Sequence, residues 1–172
     1  MNTSRAFTLI ETIVYLALFG LLMTGVILTA YNLFEGAARS QTEAMVTDEG
    51  NFLIGKITWA LSGTQSINNP PSGTSGSQLS VNKVIGVDLT GAPIIMLVTI
   101  SWSVPNMTIA TSGAPQILNN TNVRVTRLGF SVLGSGSTYD PVRVEASTTV
   151  PARSGNGMVV SRDFFTVGYL RK

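Results

Sequence analysis

The chain has 172 residues, 11 basic and 9 acidic side chains, and neither cysteine nor histidine. Without these two residue types there is no thiolate or imidazole metal ligand, no disulfide and no histidine base for a catalytic triad. We therefore do not expect an enzyme, a metal site or a cofactor. The formal net charge of +2 is also too small to indicate that the whole chain binds nucleic acid.

The N-terminus combines a short polar start with a long uncharged segment. Residues 1–6 carry one cation, Arg5, and no charged side chain occurs from Thr12 to Phe34. Residues 13–31 are long enough to cross a hydrocarbon core of about 30 Å as a helix. A carboxylate, Glu11, stands at the head of this segment, although an acidic side chain costs roughly 2.5–3.5 kcal/mol at the bilayer centre. The simplest reason for its presence is a cationic partner supplied within the membrane by another subunit.

The helical pattern continues beyond the apolar segment. Apolar residues recur at helical spacing at Val46, Leu53, Ile57 and Leu61, with polar residues between them. We predict one helix from about Thr12 to about Leu61, roughly 75 Å long at 1.5 Å per residue. Its first half is apolar on all sides and its second half is amphipathic, so the second half needs an apolar surface to cover it.

The remaining sequence predicts a loop followed by β-strands. Residues 62–80 are rich in Gly, Ser and Asn, with Gly63 as a helix terminator and Pro70-Pro71 opposing regular structure. Alternating or β-branched segments then predict strands at residues 81–87, 93–104, 123–133, 142–150 and 158–170, the last with Phe165, Val167 and Tyr169 on one face. We expect an α+β fold in which the long helix packs on an antiparallel sheet of about four to six strands. The predicted organisation is 1–6, a leader; 7–34, an assembly helix; 35–61, an amphipathic helix; and 62–172, an outer β domain.

Three simpler interpretations of the N-terminus fit less well. A secretory signal peptide would have a shorter apolar region, more basic charge before it, and no acidic residue at its start. A plain membrane anchor explains the length but neither Glu11 nor the continuing amphipathic helix. A buried helix of a soluble core would need a larger domain around it.

The segment Phe7-Thr8-Leu9-Ile10-Glu11, followed by an apolar stretch, resembles the processing and methylation motif of type IV prepilins and type II secretion pseudopilins. The resemblance covers about the first third of the chain. It implies cleavage by a prepilin peptidase between Ala6 and Phe7, N-methylation of Phe7, and pairing of Glu11 with the N-terminal amine of a neighbouring subunit. The family usually has Gly where this chain has Ala6.

The same resemblance implies the partners and the location. The partners would be other pilin or pseudopilin subunits, the peptidase, inner-membrane lipid and an assembly platform. The chain would first be a single-pass inner-membrane protein with its N-terminus in the cytoplasm, and would then enter an extracytoplasmic filament in the periplasm or at the cell surface. Type IV pilus, type II secretion and competence systems all remain open, as does a major or a minor role.

Segments of the outer domain resemble J-type minor pseudopilins and W-type minor pilins more weakly. They are residues 123–130, 141–145 and 164–171. An alternative function is a DNA-binding minor pilin, because the residues after Leu61 carry eight basic and four acidic side chains and Arg124 and Arg143 alternate with apolar residues. However, no run of basic residues or ladder of aromatic residues accompanies them, so nucleic acid is not an expected partner.

Overall fold

The computed structural model describes residues 8–133, 142–153 and 159–170, with the backbone alone for residues 142–153, 169 and 170. The chain divides into two compact units, Met1–Gln41 and Thr42–Lys172. One helix and nine strands make up the described part, and the predicted α+β class is confirmed.

Helix α1 runs from Leu9 to Leu61, so it begins three residues earlier than predicted and ends at the predicted residue. It ends there because Ser62 and Gly63 form a turn, in which Gly63 has a φ of 68°. A left-handed backbone is easily adopted only by glycine, which explains why glycine follows the helix.

In the second unit, α1 buries a single stripe. The predicted residues Val46, Leu53, Ile57 and Leu61 are all buried, and Gly50 lies in the same row. Their spacing of three, four or seven residues puts them on one side of a helix. They join the core formed by the inner faces of the strands. The strand and loop members of that core are Leu79, Val81, Val98, Ile100, Met107, Val123, Val125, Leu128, Phe130 and Val132.

The strands form two antiparallel sheets rather than the single sheet expected. The first has the order β1-β3-β4-β5-β6 and the second has the order β2-β7-β8-β9. The strands are β1 (Thr64–Asn69), β2 (Ser75–Gly76), β3 (Gln78–Val87), β4 (Pro93–Ser103), β5 (Asn106–Thr111), β6 (Gln116–Ile117), β7 (Arg127–Leu133), β8 (Val142–Arg153) and β9 (Val159–Leu170).

The prediction of an irregular loop over residues 62–80 is wrong in part. Strands β1 and β2 lie within it, and β3 already begins at Gln78. Strand β1 has the polar sequence TQSINN, which gives no apolar alternation, and it is a strand because it pairs with β3. The strand predicted from residue 123 begins at Arg127, although Val123 and Val125 before it are buried.

Strand β9 packs on α1 through the face that carries Phe164 and Gly168. Phe164 meets Gly50 of the helix so closely that a Cβ at Gly50 would overlap its ring. A Cβ at Gly168 would lie 2.8 Å from a methyl carbon of Leu61. Phe165, on the other face of the strand, is exposed. Two glycines, one on each element, thus permit the close approach of helix and strand.

Lys83 of β3 closes the C-terminal end of α1. Its ammonium group is buried and donates to the carbonyl of Trp59 (2.7 Å), the hydroxyl of Ser62 (2.9 Å) and the carbonyl of Ser62. It also lies 4.9 Å from the centre of the Trp59 ring. Burial lowers the pKa of Lys83, while its acceptors favour the charged form and oppose that shift. Carbonyls at a helix end lack partners within the helix, so this contact satisfies them.

Replacing Lys83 with methionine should lower the free energy of unfolding by about 1–3 kcal/mol, because it removes a charged donor from two carbonyls. Thermal unfolding followed by tryptophan fluorescence measures this, since Trp59 and Trp102 both lie in the second unit. Lys56→Met is the matched control: Lys56 is half-buried, its ammonium lies 5.3 Å from the centre of the exposed Phe52 ring, and its loss should change stability by less than about 1 kcal/mol. Equal effects of the two substitutions would contradict the capping role of Lys83.

Candidate functional site

The first turn of α1 is stabilised by a side chain just before it. Thr8 precedes the helix, and its hydroxyl accepts a hydrogen bond from the backbone N–H of Glu11 at 3.4 Å. This places Thr8 at the N-cap and Glu11 at the third helical position, the arrangement of a capping box. A carboxylate in the first turn also interacts favourably with the positive end of the helix dipole.

Of the predicted site residues, Glu11 alone lies within the described part of the chain. Its side chain is exposed on the first turn of α1. Ala6 and Phe7, the predicted cleavage and methylation positions, lie outside the described residues, so their place relative to Glu11 is not part of the structure.

The helix after Glu11 exposes apolar side chains on all sides. It is long and apolar enough to cross a membrane by length and composition, and none of its most apolar stretch is buried within the chain. The large exposed side chains before residue 30 are Leu9, Ile10, Ile13, Val14, Tyr15, Leu16, Leu18, Phe19, Leu21, Leu22, Met23, Val26, Ile27 and Leu28.

The threonines of this segment do not bring an unmet polar group into it. The hydroxyl of Thr24 donates to the carbonyl of Gly20, and that of Thr29 to the carbonyl of Gly25, each at 2.8 Å. The hydroxyl of Thr12 donates to the carbonyl of Thr8 at 3.3 Å. Bonds of this kind let a hydroxyl enter lipid without a partner on another chain.

Glu11 differs from the threonines because an ionised carboxylate has no hydrogen to donate. It therefore cannot bond to a backbone carbonyl of its own helix as the threonine hydroxyls do. It is also the only charged side chain in residues 6–34. The structure thus places one acidic group at the start of an uncovered apolar helix, within one turn of the N-terminal end.

Sequence reasoning missed Thr8. Its signal is present, since Thr8 and Glu11 have the Thr-x-x-Glu spacing of a capping box immediately before an apolar run. The bond from the Thr8 hydroxyl is to the backbone N–H of Glu11. A return bond from the Thr8 N–H to the Glu11 carboxylate would complete the box and give that carboxylate a role inside its own chain, besides a role toward a neighbouring subunit.

The described part of the second unit contains no cluster of metal-binding side chains. Among the described residues, no group of three or more His, Cys, Asp or Glu side chains could hold a metal ion. Arg124 and Arg127 are exposed, whereas the side chain of Arg143, which like Arg124 alternates with apolar residues, lies outside what the structure describes.

A family model described as the prokaryotic N-terminal methylation motif matches residues 1–27. No curated protein and no solved structure matches the chain. The matched segment includes Ala6, Phe7 and Glu11, together with most of the apolar helix. This match supports a prepilin/pseudopilin-type protein and implies processing by a prepilin peptidase and assembly with other pilin subunits.

Proposed function

Because the N-terminal methylation motif supports a prepilin-type protein, we propose that this chain is a structural subunit of a type IV pilus or a type II secretion pseudopilus. It would be a minor pilin or a pseudopilin. Prepilin peptidase cleaves it between Ala6 and Phe7, and the new N-terminus at Phe7 is methylated. The subunit then leaves the inner membrane and enters a filament through its apolar helix.

The observation that carries this proposal is the position of Glu11. In lipid, the apolar side chains of α1 gain little hydrophobic free energy from contact with another helix, because lipid tails are equally apolar. An ionised carboxylate close to those tails remains costly until a cation reaches it. The amine of a neighbouring subunit's Phe7 is that cation, so pairing favours assembly and also fixes the axial position of each subunit.

Cleavage is required for this pairing. In the uncleaved chain the nitrogen of Phe7 belongs to the peptide bond with Ala6 and carries no charge, and the polar residues 1–6 with Arg5 precede it. Removal of residues 1–6 brings a free amine directly to the head of the apolar segment. Processing and assembly are therefore consecutive steps of one mechanism.

In the membrane the N-terminus faces the cytoplasm and the β domain lies outside. Arg5 lies on the N-terminal side of the apolar segment, whereas Arg39 on the other side is offset by nearby Glu35. Positive charge favours the cytoplasmic side, which gives this orientation.

Filaments sheared from a host that carries such an assembly system test the function. In the host that has prepilin peptidase, we expect the chain in the filament fraction. In a strain without the peptidase, we expect it only in the inner-membrane fraction. An immunoblot of both fractions measures the difference. Equal amounts in the filament fraction of both strains, or none in either, would contradict a processed filament subunit.

A further inference from the structure

The β3–β4 hairpin extends beyond both of its neighbouring strands. Strand β1 pairs with β3 only as far as Lys83, and β5 pairs with β4 only from Val98 onward. Residues 84–95 thus form a two-stranded ribbon, and Met96 and Leu97 continue the β4 edge opposite Lys83 and Asn82, which β1 also pairs with. Residues 84–97 together are called here the hairpin arm.

The hairpin arm is apolar and exposed. It has one charged side chain, Asp88, whose carboxylate is engaged in the turn: it accepts hydrogen bonds from the N–H (2.8 Å) and hydroxyl (2.6 Å) of Thr90 and from the N–H of Ala92 (2.9 Å). Six of the thirteen large apolar side chains exposed in the described part of the second unit belong to this arm. They are Ile85, Val87, Leu89, Ile94, Ile95 and Leu97. Adjacent residues such as Ile94 and Ile95 extend to opposite faces of the ribbon, so the exposed apolar side chains cover both faces. Such a concentration of exposed apolar side chains indicates an interaction site.

The two edges of the arm differ in their protection. On β3, the pairing register shifts between Val84 and Gly86, and the N–H of Val84 donates to the carbonyl of Gly63 at 2.9 Å. Irregular pairing of this kind is one of the ways in which proteins block unwanted strand addition. On β4, residues 95–97 pair with β3 in regular register, and the shift falls between Ile95 and Ile94, with the extra residue on β3. Residues 94–97 contain no charge and no proline.

The β4 edge is open because β5 leaves it. Strand β5 ends at Thr111, opposite Val98, and the next residue, Ser112, turns the chain with a φ of 57°. Within the described residues, no strand pairs with residues 94–97 on this side. Alternate residues of an edge strand direct both N–H and C=O outward, so these backbone groups lack strand partners.

We do not expect the hairpin arm to insert into a lipid bilayer. Insertion would place the open backbone groups of the β4 edge in hydrocarbon, where nothing can hydrogen-bond them, and would carry the Asp88 carboxylate with them. Hydrogen bonds to that carboxylate, first from the Thr90 hydroxyl and then from backbone N–H groups, lower the pKa of Asp88 and keep it ionised. Another β-strand can satisfy the backbone groups and cover the apolar side chains together.

We propose that the edge formed by residues 94–97 pairs antiparallel with the same edge of a second copy of this chain. The edge is self-complementary because it is uncharged and apolar, as an isologous contact requires. Antiparallel pairing sends the two hairpin tips in opposite directions, so the two Asp88 carboxylates stay apart. Because β5 occupies the edge from Val98 onward, the overlap is confined to about residues 93–97 and centres on Ile95 facing its own copy. Pro93, at the end of this overlap, has no N–H and contributes only its carbonyl group.

Cross-linking of the full-length protein in detergent micelles tests this register. The chain has no native cysteine, so Ile95→Cys introduces one thiol, at a side chain that is 48% exposed. Directly opposed Cβ atoms of an antiparallel pair lie about 4.5–5.5 Å apart. We expect a short bis-maleimide to convert Ile95→Cys to a covalent dimer. The control is Gln65→Cys, an exposed residue of β1, which should give only the background amount of dimer. Equal cross-linking of both variants would overturn the proposal.

Charge substitution separates this contact from any association of the apolar helices. Ile95→Lys and Ile95→Glu should each weaken self-association by about tenfold or more, equivalent to about 1.4 kcal/mol, because like charges then face each other. A mixture of the two variants should regain dimer, and Gln65→Lys should behave as the unchanged protein in sedimentation velocity. Unchanged association of the single variants, or no recovery in the mixture, would refute the pairing. These tests use residues of the second unit and do not depend on Glu11 or on cleavage.

Discussion

Glu11→Gln is expected to leave the protein inserted in the membrane and to reduce its amount in the filament fraction by at least about tenfold. Glutamine has nearly the same size as glutamate but cannot neutralise an amine. Removing one partner of a buried ion pair costs about 3–5 kcal/mol, because the other charge stays buried without compensation. The measurement is the ratio of filament to membrane protein on immunoblots of sheared cells.

The glutamine variant also separates pairing from capping. Glutamine at the third helical position can still serve a capping box with Thr8. If Glu11 only stabilised the first turn of α1, Glu11→Gln would assemble normally and Glu11→Val would not. If Glu11 pairs with a neighbour's amine, both variants fail.

Thr8→Ala supplies the matched control, since it removes the hydroxyl that accepts from the N–H of Glu11 and leaves the carboxylate in place. Loss of an N-cap costs about 0.5–2 kcal/mol of helix stability. We expect this variant to be incorporated far better than Glu11→Gln. Normal filaments with Glu11→Gln, or exclusion of Thr8→Ala alone, would contradict the pairing mechanism.

Gly50→Ala is expected to lower the free energy of unfolding of the second unit by about 1–3 kcal/mol. The added methyl group would overlap the ring of Phe164, which is partly buried against the core, so the ring or the helix must move. This is the net change, because the steric penalty is larger than the roughly 0.5–1 kcal/mol by which alanine stabilises a helix over glycine. Thermal unfolding of the full-length protein in detergent, followed by tryptophan fluorescence, measures it.

Gly55→Ala, on the same helix, should have the opposite sign. No atom lies within 4 Å of a Cβ at Gly55, so only the gain in helix propensity of about 0.5–1 kcal/mol remains. In a Phe164→Ala background the penalty at Gly50 should disappear, because the ring that causes it is gone. A stabilising Gly50→Ala, or a penalty that persists without the ring, would contradict the packing of β9 on α1.

The helix was predictable because its signals are local. Apolar residues spaced around Val46, Leu53, Ile57 and Leu61 indicate a buried stripe, and Gly63 marks the end. The α+β class follows from one long helical pattern succeeded by alternating segments. Leu128, Phe130 and Val132 alternate in the sequence and are buried as that alternation predicts.

The strand arrangement was not predictable in the same way, because it depends on contacts between distant segments. Strand β1 lacks alternation and owes its conformation to β3. The adjacent residues Phe164 and Phe165 fit either face of β9 equally well by pattern, and the choice is made by Gly50 and Gly168, which leave room on one side. Division into two sheets likewise requires the pairing register, which no local pattern contains.

For the candidate site, the sequence supplied Glu11, its charge and the apolar helix behind it. The Thr8 cap was also readable from its spacing to Glu11. The neighbour that completes an ion pair belongs to another chain, so neither the sequence nor the structure of one copy contains it.

Mass spectrometry of the N-terminal peptide, from protein isolated with its assembly system, tests directly whether the chain is processed as a prepilin. We expect a chain that begins at Phe7, lacks residues 1–6 and carries one methyl group on its amine. Ala6→Gly, which places the residue usual in the family before the cleavage site, should be processed at least as completely. A chain that retains residues 1–6 and has no methyl group on Phe7, in a host whose peptidase processes its other substrates, would contradict assembly through a Glu11–amine pair.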